Sequence, residues 1–189
     1  MQKEIHEQPQ VIRSIIKKYT SKNNVLDFPN VAFEKDELAK VNRFIIQACG
    51  TSWHAGLIGK YLLEDIARIP TEVDISSEFR YRRLLNHANE IVIAISQSGE
   101  TADTLACIRE AKSKFFNILS FVNVEGSSID RESDAVIHTH SGPEIGVAST
   151  KNYIAQLCSI YLFSLYLGQL RWTISEEDVQ THLQQMQLL

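Results

Sequence analysis

Three short stretches of the chain combine hydroxyls, amides and small residues in patterns suited to holding an anion. Ser96-Gln97-Ser98-Gly99-Glu100-Thr101 sets three hydroxyls and a side-chain amide around one glycine, just ahead of a helical pattern. Each of those groups can donate a hydrogen bond. A helix starting there adds free N–H groups and the positive end of its macrodipole, roughly 0.3 to 1 kcal/mol per charge near a surface. The competing reading is that Ser96 or Ser98 merely caps the helix and the rest is ordinary turn chemistry. Cys49-Gly50-Thr51-Ser52 is a second turn of the same kind: Gly50 permits a sharp bend, and Thr51 and Ser52 bring hydroxyls to another helix start. Two such turns in one chain favour anion binding over two coincidental caps. The third stretch, Glu144-Ile145-Gly146-Val147-Ala148-Ser149-Thr150-Lys151, runs into a long apolar segment. There Glu144 is a candidate acid, base or ligand for sugar hydroxyls, or else Ser149 or Thr150 is an N-cap and Glu144 is solvated.

Other chemistries drop out on spacing. Gly50, Gly56 and Gly59 do not make the G-x-G-x-x-G of dinucleotide sites, and no Gly-Lys-Ser/Thr closes a P-loop, which excludes NAD and ATP. Cys49 reads as a small packing residue, because its flanks are apolar and no histidine adjoins it. The six histidines form no metal-ligand pattern, so neither a metal nor a cofactor is expected. Cys49, Cys107 and Cys158 are odd in number and widely spaced, which fits a reducing cytoplasm better than a disulfide framework. The formal net charge is -4 and the densest basic groups are only Lys17-Lys18 and Arg80-Arg82-Arg83, so nucleic acid and anionic lipid are poor partners. No apolar leader occupies the N-terminus. Gln156, Ser159, Ser164, Gly168 and Gln169 interrupt the apolar run from Tyr153 to Leu170, making it a core or dimer-interface helix rather than a membrane span.

The elements that must position these turns follow from periodicity. Pro9 followed by Val11, Ile12, Ile15, Ile16 and Tyr19 predicts an amphipathic helix over 9–20, then a loop over 21–30. Arg43 to Ala48 is an apolar strand that stops at Cys49, after which Leu57, Ile58, Tyr61, Leu62 and Ile66 recur at helical spacing. The pattern repeats as strand 90–95, turn 96–100 and helix 101–112. Strands 72–75, 117–122 and 135–138, a helix over 150–170 and a further helix from Ser175 complete the reading. Strands alternating with helices predict an α/β fold, a three-layer αβα sandwich with a mainly parallel sheet whose ligands sit beyond the carboxyl ends of the strands. The helix over 150–170 is apolar on more than one face, through Ile154, Leu157, Cys158, Tyr161, Leu162, Leu165 and Tyr166, which fits either an oligomer, with a homodimer the expected form, or simple burial.

Taken in order, Cys49 to Ser52, Ser96 to Thr104, Gly126-Ser127-Ser128 with Arg131-Glu132-Ser133-Asp134, and Glu144 to Lys151 resemble the first sugar-isomerase (SIS) lobe of the glucosamine-6-phosphate synthases, the glutamine:fructose-6-phosphate amidotransferase family. Met1 to Ile5 and Glu7-Gln8-Pro9 resemble the segment joining that family's glutaminase and isomerase domains. The resemblance implies a SIS, flavodoxin-like sandwich over 31–175, an N-terminal helix and linker over 1–30, and the start of a truncated helix over 176–189. It implies that Ser52, Ser96, Gln97, Ser98 and Thr101 hold the phosphate of fructose 6-phosphate, and that Cys49, Gly50, Thr51, Val147 and Ser149 line the sugar. In the family, ammonia released from glutamine in a separate domain is transferred to the sugar, which is isomerised to glucosamine 6-phosphate. The family's ring-opening histidine, isomerisation glutamate and Schiff-base lysine belong to a second SIS lobe. This chain is therefore expected to bind substrate without catalysing, in the company of a glutaminase domain and a second lobe. Trp53 and Glu125 depart from the family's usual tyrosine and proline, and residues 20–41 match it weakly. Two other readings are a stand-alone SIS phosphosugar sensor and a small phosphosugar isomerase using Glu100, Glu144 or a histidine as base.

Overall fold

A computed structural model describes residues 1–189 except Lys22, Arg80, Leu84 and Asn86, so Arg80 of the basic group lies outside the described residues. Five strands, β1 (Arg43–Ala48), β2 (Thr71–Ile75), β3 (Glu90–Ser96), β4 (Asn117–Val122) and β5 (Ala135–His138), form one sheet in the order β2-β1-β3-β4-β5. Every pairing is parallel. β3 is buried along its whole length, as a central strand covered on both faces must be, and that is why it reads as an unbroken apolar run.

Alternate residues of each strand feed opposite layers. Phe44, Ile46, Ile93 and Ile95 pack with α1 (Gln2–Tyr19), α3 (Gly50–Ile66), α7 (Lys151–Leu170) and α8 (Glu176–Gln187). Ile45, Val92 and Ala94 pack with α4 (Ser76–Phe79), α5 (Ala102–Ser113) and α6 (Ser128–Glu132). The result is the expected three-layer sandwich, with a further short helix, α2 (Lys35–Ala39), before β1. Gly56 and Gly59 let α3 lie close to its neighbours: a Cβ at Gly56 would stand 2.9 Å from Ile46 Cγ2, and one at Gly59 would stand 3.0 Å from Ile160 Cγ2.

The N-terminal helix differs from its expected bounds. It begins at Gln2, with Pro9 inside it. Proline at that point forfeits one helical hydrogen bond; the turns ahead of it are held by distant partners, since Glu4 and Glu7 both bond to residues of the 145–151 stretch. Val11, Ile15, Ile16 and Tyr19 of α1, and Val179, Leu183 and Met186 of α8, join the same core as the sheet. Among the described residues α7 is the one helix long and apolar enough to cross a membrane, and 67% of that stretch is buried inside the protein. Leu162, Leu165 and Tyr166 go into the core, whereas Ile154, Leu157, Cys158 and Tyr161 line an apolar groove of about 350 Å³ with Ile12, Leu62 and Met186.

Candidate functional site

β1 and β3 are neighbours in register, Ala48 opposite Ile95, so the turns that follow them lie side by side. The chain leaves β1 through α3 toward β2, and leaves β3 through α5 toward β4, on the other side and the other face. Opposed crossovers from adjacent parallel strands open a crevice at their carboxyl ends. Both hydroxyl-rich turns stand in it.

The first turn is shaped by its own hydroxyls. Ser96 is buried, its Oγ accepts from the Gly99 N–H at 3.1 Å, and it lies 3.0 Å from Thr101 Oγ1. Ser98 Oγ accepts from the Glu100 N–H at 3.2 Å. Neither serine caps α5, and Thr101, at the N-cap position, makes no side-chain cap bond. Cys49, at the same position of α3, makes none either. In contrast, Ser127 and Ser175 cap α6 and α8, and a Glu34–Glu37 capping box closes α2. The two helices that open on the crevice thus keep their N-terminal donors for an outside acceptor.

A neighbouring segment braces this turn. Gly99 has φ +67°, and a Cβ there would come within 1.9 Å of Ser127 Oγ. Its carbonyl accepts from the Ile129 N–H at 2.9 Å, while the Glu100 carboxylate accepts from the Ser128 N–H at 2.7 Å. That hydrogen bond holds the Glu100 carboxyl below its ordinary value. The Gln97 carbonyl accepts from the Asn123 N–H at 3.3 Å, and Asn123 Nδ2 donates to the Gly142 carbonyl at 2.9 Å. Asn123 thereby ties the first turn to Gly142, just ahead of the third stretch, a role no spacing in the sequence announces.

In the second turn Gly50 takes φ +57°, and Thr51 and Ser52 fall inside the first turn of α3. Thr51 is exposed, Cys49 is partly so, and buried Ser52 accepts at Oγ from Gln156 Nε2 of α7 at 2.9 Å. In the sequence Gln156 is only a polar break in an apolar run. A buried amide within such an apolar run is the available signal that something polar sits opposite.

The third stretch is organised by Glu144. Its carboxylate accepts from Ser149 Oγ (3.0 Å), the Thr150 N–H (2.8 Å) and Asn152 Nδ2 (2.7 Å). Burial works to raise the Glu144 carboxyl, but the bonds from Asn152, Thr150 and Ser149 outweigh it and hold it below its ordinary value. Thr150 makes no side-chain cap bond, so the first turn of α7 is closed by Glu144 across the loop. Ionised and engaged, Glu144 is a structural acceptor rather than a poised base. Val147 is fully exposed beside it, and Ser149 points its hydroxyl at Glu144.

The arrangement can hold a dianion through hydroxyls, one amide and two helix termini, with no lysine or arginine within the two turns. Among the described residues no three His, Cys, Asp or Glu side chains converge so as to hold a metal ion. Burial pushes the Cys158 thiol up to about 12, which leaves it inert.

Comparison with known proteins adds to this geometry. The SIS domain family matches residues 37–166. Glutamine--fructose-6-phosphate aminotransferase [isomerizing] of Clostridium tetani is 47% identical over 186 residues, 98% of this chain and 31% of that protein. The enzyme of the same name from Streptomyces coelicolor is 46% identical over 179 residues, 95% of this chain and 29% of that protein. The chain therefore spans about three tenths of the length of the curated relatives it matches. Among solved structures, the C-terminal domain of glucosamine-fructose-6-phosphate aminotransferase from Francisella tularensis superposes with a TM-score of 0.92 at 35% identity, covering 98% of this chain and 52% of that one. Glucosamine-6-phosphate deaminase from Thermotoga maritima, at 17% identity and a TM-score of 0.72, covers 96% of this chain and 51% of that one and shares the fold.

Proposed function

The chain belongs to the SIS domain family and is homologous to part of the isomerase domain of glutamine-fructose-6-phosphate aminotransferase; on that premise we propose that it is the first isomerase lobe of such an enzyme and binds fructose 6-phosphate. The observation that carries this reading is the pair of helices, α3 and α5, that open on the switch-point crevice with no side-chain cap among serine and threonine hydroxyls.

In this reading the phosphate lies on Ser96, Gln97, Ser98 and Thr101, with Ser52 reaching it from α3. Ser96 and Thr101 are bonded to each other at 3.0 Å, so one hydroxyl donates to the other and the second keeps its proton for a phosphate oxygen. The dianion replaces the missing caps of both helices, so its charge is met by dipoles and neutral donors that keep their places at any pH near neutrality. Cys49, Gly50, Thr51, Val147 and Ser149 line the sugar, whose far end carries the reacting carbons. Such a site grips and orients; it moves no protons, because Glu144 and Glu100 are both committed to backbone N–H groups. The parent reaction takes L-glutamine and D-fructose 6-phosphate to D-glucosamine 6-phosphate and L-glutamate in amino-sugar biosynthesis, and the proton-moving groups come from a second SIS lobe. A glutaminase domain, a homodimeric partner and a cytoplasmic setting complete the proposal. The domain bounds that go with it are 1–30 for the N-terminal helix and linker, 31–175 for the SIS domain and 176–189 for the final helix.

Calorimetric titration of the chain with fructose 6-phosphate, alongside NMR shifts at Ser96–Thr101, tests this. Saturable binding of the phosphorylated sugar with none for free fructose is expected; equal and negligible responses to both would reject the phosphate site.

A further inference from the structure

We propose that Glu4 is a positioning residue for the sugar-lining loop, so that recognition of the sugar, though not of the phosphate, depends on the first turn of α1. This rests on the assignment of Val147 and Ser149 to the sugar. Glu4 lies outside the residues matched by the SIS family, yet it reaches a loop 141 positions further along the chain. It is a buried carboxylate in a helix whose other buried residues are Val11, Ile15, Ile16 and Tyr19. One carboxylate oxygen, Oε1, accepts from both the Ile145 N–H at 2.7 Å and the Gly146 N–H at 3.1 Å. The other pairs with the terminal ammonium of Met1 at 2.7 Å, and the two loop bonds do not involve it. Gly146 leaves room for this contact: a Cβ there would stand 2.6 Å from Glu4 Oε2. One helical turn on, Glu7 holds Lys151 Nζ at 2.6 Å, at the first residue of α7.

Packing cannot shape this loop, because the side chains flanking Gly146 face outward: Ile145 is 91% exposed and Val147 is 105% exposed. Hydrogen bonds to two carboxylates do so instead. Glu144 takes Ser149, Thr150 and Asn152, and Glu4 takes Ile145 and Gly146. Removing Glu4 takes away the protein acceptor of the Ile145 and Gly146 N–H groups and frees the loop between Gly142 and Ser149.

The test compares Glu4→Ala and Glu4→Gln with the unsubstituted chain, using fructose 6-phosphate and inorganic phosphate as separate probes. Glu4→Ala is expected to weaken fructose 6-phosphate about tenfold while leaving inorganic phosphate within about twofold, and Glu4→Gln, which keeps an acceptor oxygen, to recover to within about threefold. Amide hydrogen exchange, which needs no ligand, should speed about tenfold at Ile145 and Gly146 in Glu4→Ala and stay unchanged at Ser96–Thr101. Gly146→Ala, which drives a methyl into the same carboxylate from the loop side, should reproduce the split if Glu4→Ala proves too unstable to use. Equal losses for both probes, unchanged sugar-phosphate affinity, or unchanged exchange at Ile145 and Gly146 would each overturn the role of Glu4. Failure of the unsubstituted chain to bind either probe would overturn the phosphate site itself, and this role with it.

Discussion

Gly99 is required twice over, by a positive φ of +67° and by the closeness of Ser127 Oγ to its missing Cβ. Gly99→Ala should therefore cost about 1–3 kcal/mol in urea unfolding and weaken fructose 6-phosphate at least about tenfold, since it displaces the brace under the turn. Adding Ser127→Gly removes the clash but not the backbone strain, so the double variant should recover part of the stability; full recovery would show that φ carries no cost there. The glycine was visible in the sequence as a turn former, and the serines beside it as anion donors. Its contact was not, because Ser127 is 28 positions away and nothing local signals a side chain that will lie against a backbone. Glu100 and Glu144 illustrate the same limit. Sequence presents each as an available carboxylate, and only the fold shows that Ser128 and Thr150 N–H groups occupy them.

At the scale of elements, the informative feature is a missing cap. Thr101 occupies the N-cap of α5 without capping it, so an aspartate there should both bond the first-turn N–H groups and meet the helix dipole. Thr101→Asp is expected to raise the urea midpoint by an amount equivalent to about 0.5–1 kcal/mol while abolishing fructose 6-phosphate binding, because a fixed carboxylate then holds the place of the phosphate. A variant that gained stability and still bound the ligand would place the phosphate elsewhere. Strand positions were readable for a physical reason: parallel strands covered on both faces must be apolar throughout, and residues 90–95 and 117–122 are nearly so. Short α2, α4 and α6, of four or five residues, were not readable, since they are too brief for any period to register. The start of α1 was misplaced because proline favours a first helical turn, whereas Glu4 and Glu7 hold seven residues ahead of Pro9 in helix from across the molecule.

For the molecule as a whole, layer order follows from which face each strand residue serves, and the pieces that close it are titratable. His140, half-buried against Tyr19, has its pKa lowered from 6.5, chiefly by burial and then by its electrostatic interaction with Lys18. Glu4, Glu7, Glu72, Glu100, Glu132 and Glu144 all lie below 4.5. Each of these groups is a weaker base folded than unfolded, so as pH falls the unfolded chain takes up the proton first and stability is lost with it. The histidine contribution is complete above 6.5 and declines below it; the carboxylate contributions are complete above 4.5 and decline below that. Urea midpoints measured from about pH 8 to about pH 3 should therefore be level at first, show a shallow fall below 6.5, and drop steeply below 4.5. His140→Asn should remove the shallow phase alone, and Glu144→Gln should flatten part of the steep one. A midpoint that stays level down to 4.5 in the unsubstituted chain would contradict the placement of His140. Because Glu4 and Glu144 shape the loop that lines the sugar while Glu100 braces the phosphate turn through Ser128, inorganic phosphate should weaken within the steep phase and fructose 6-phosphate, which depends on all three carboxylates, should weaken more.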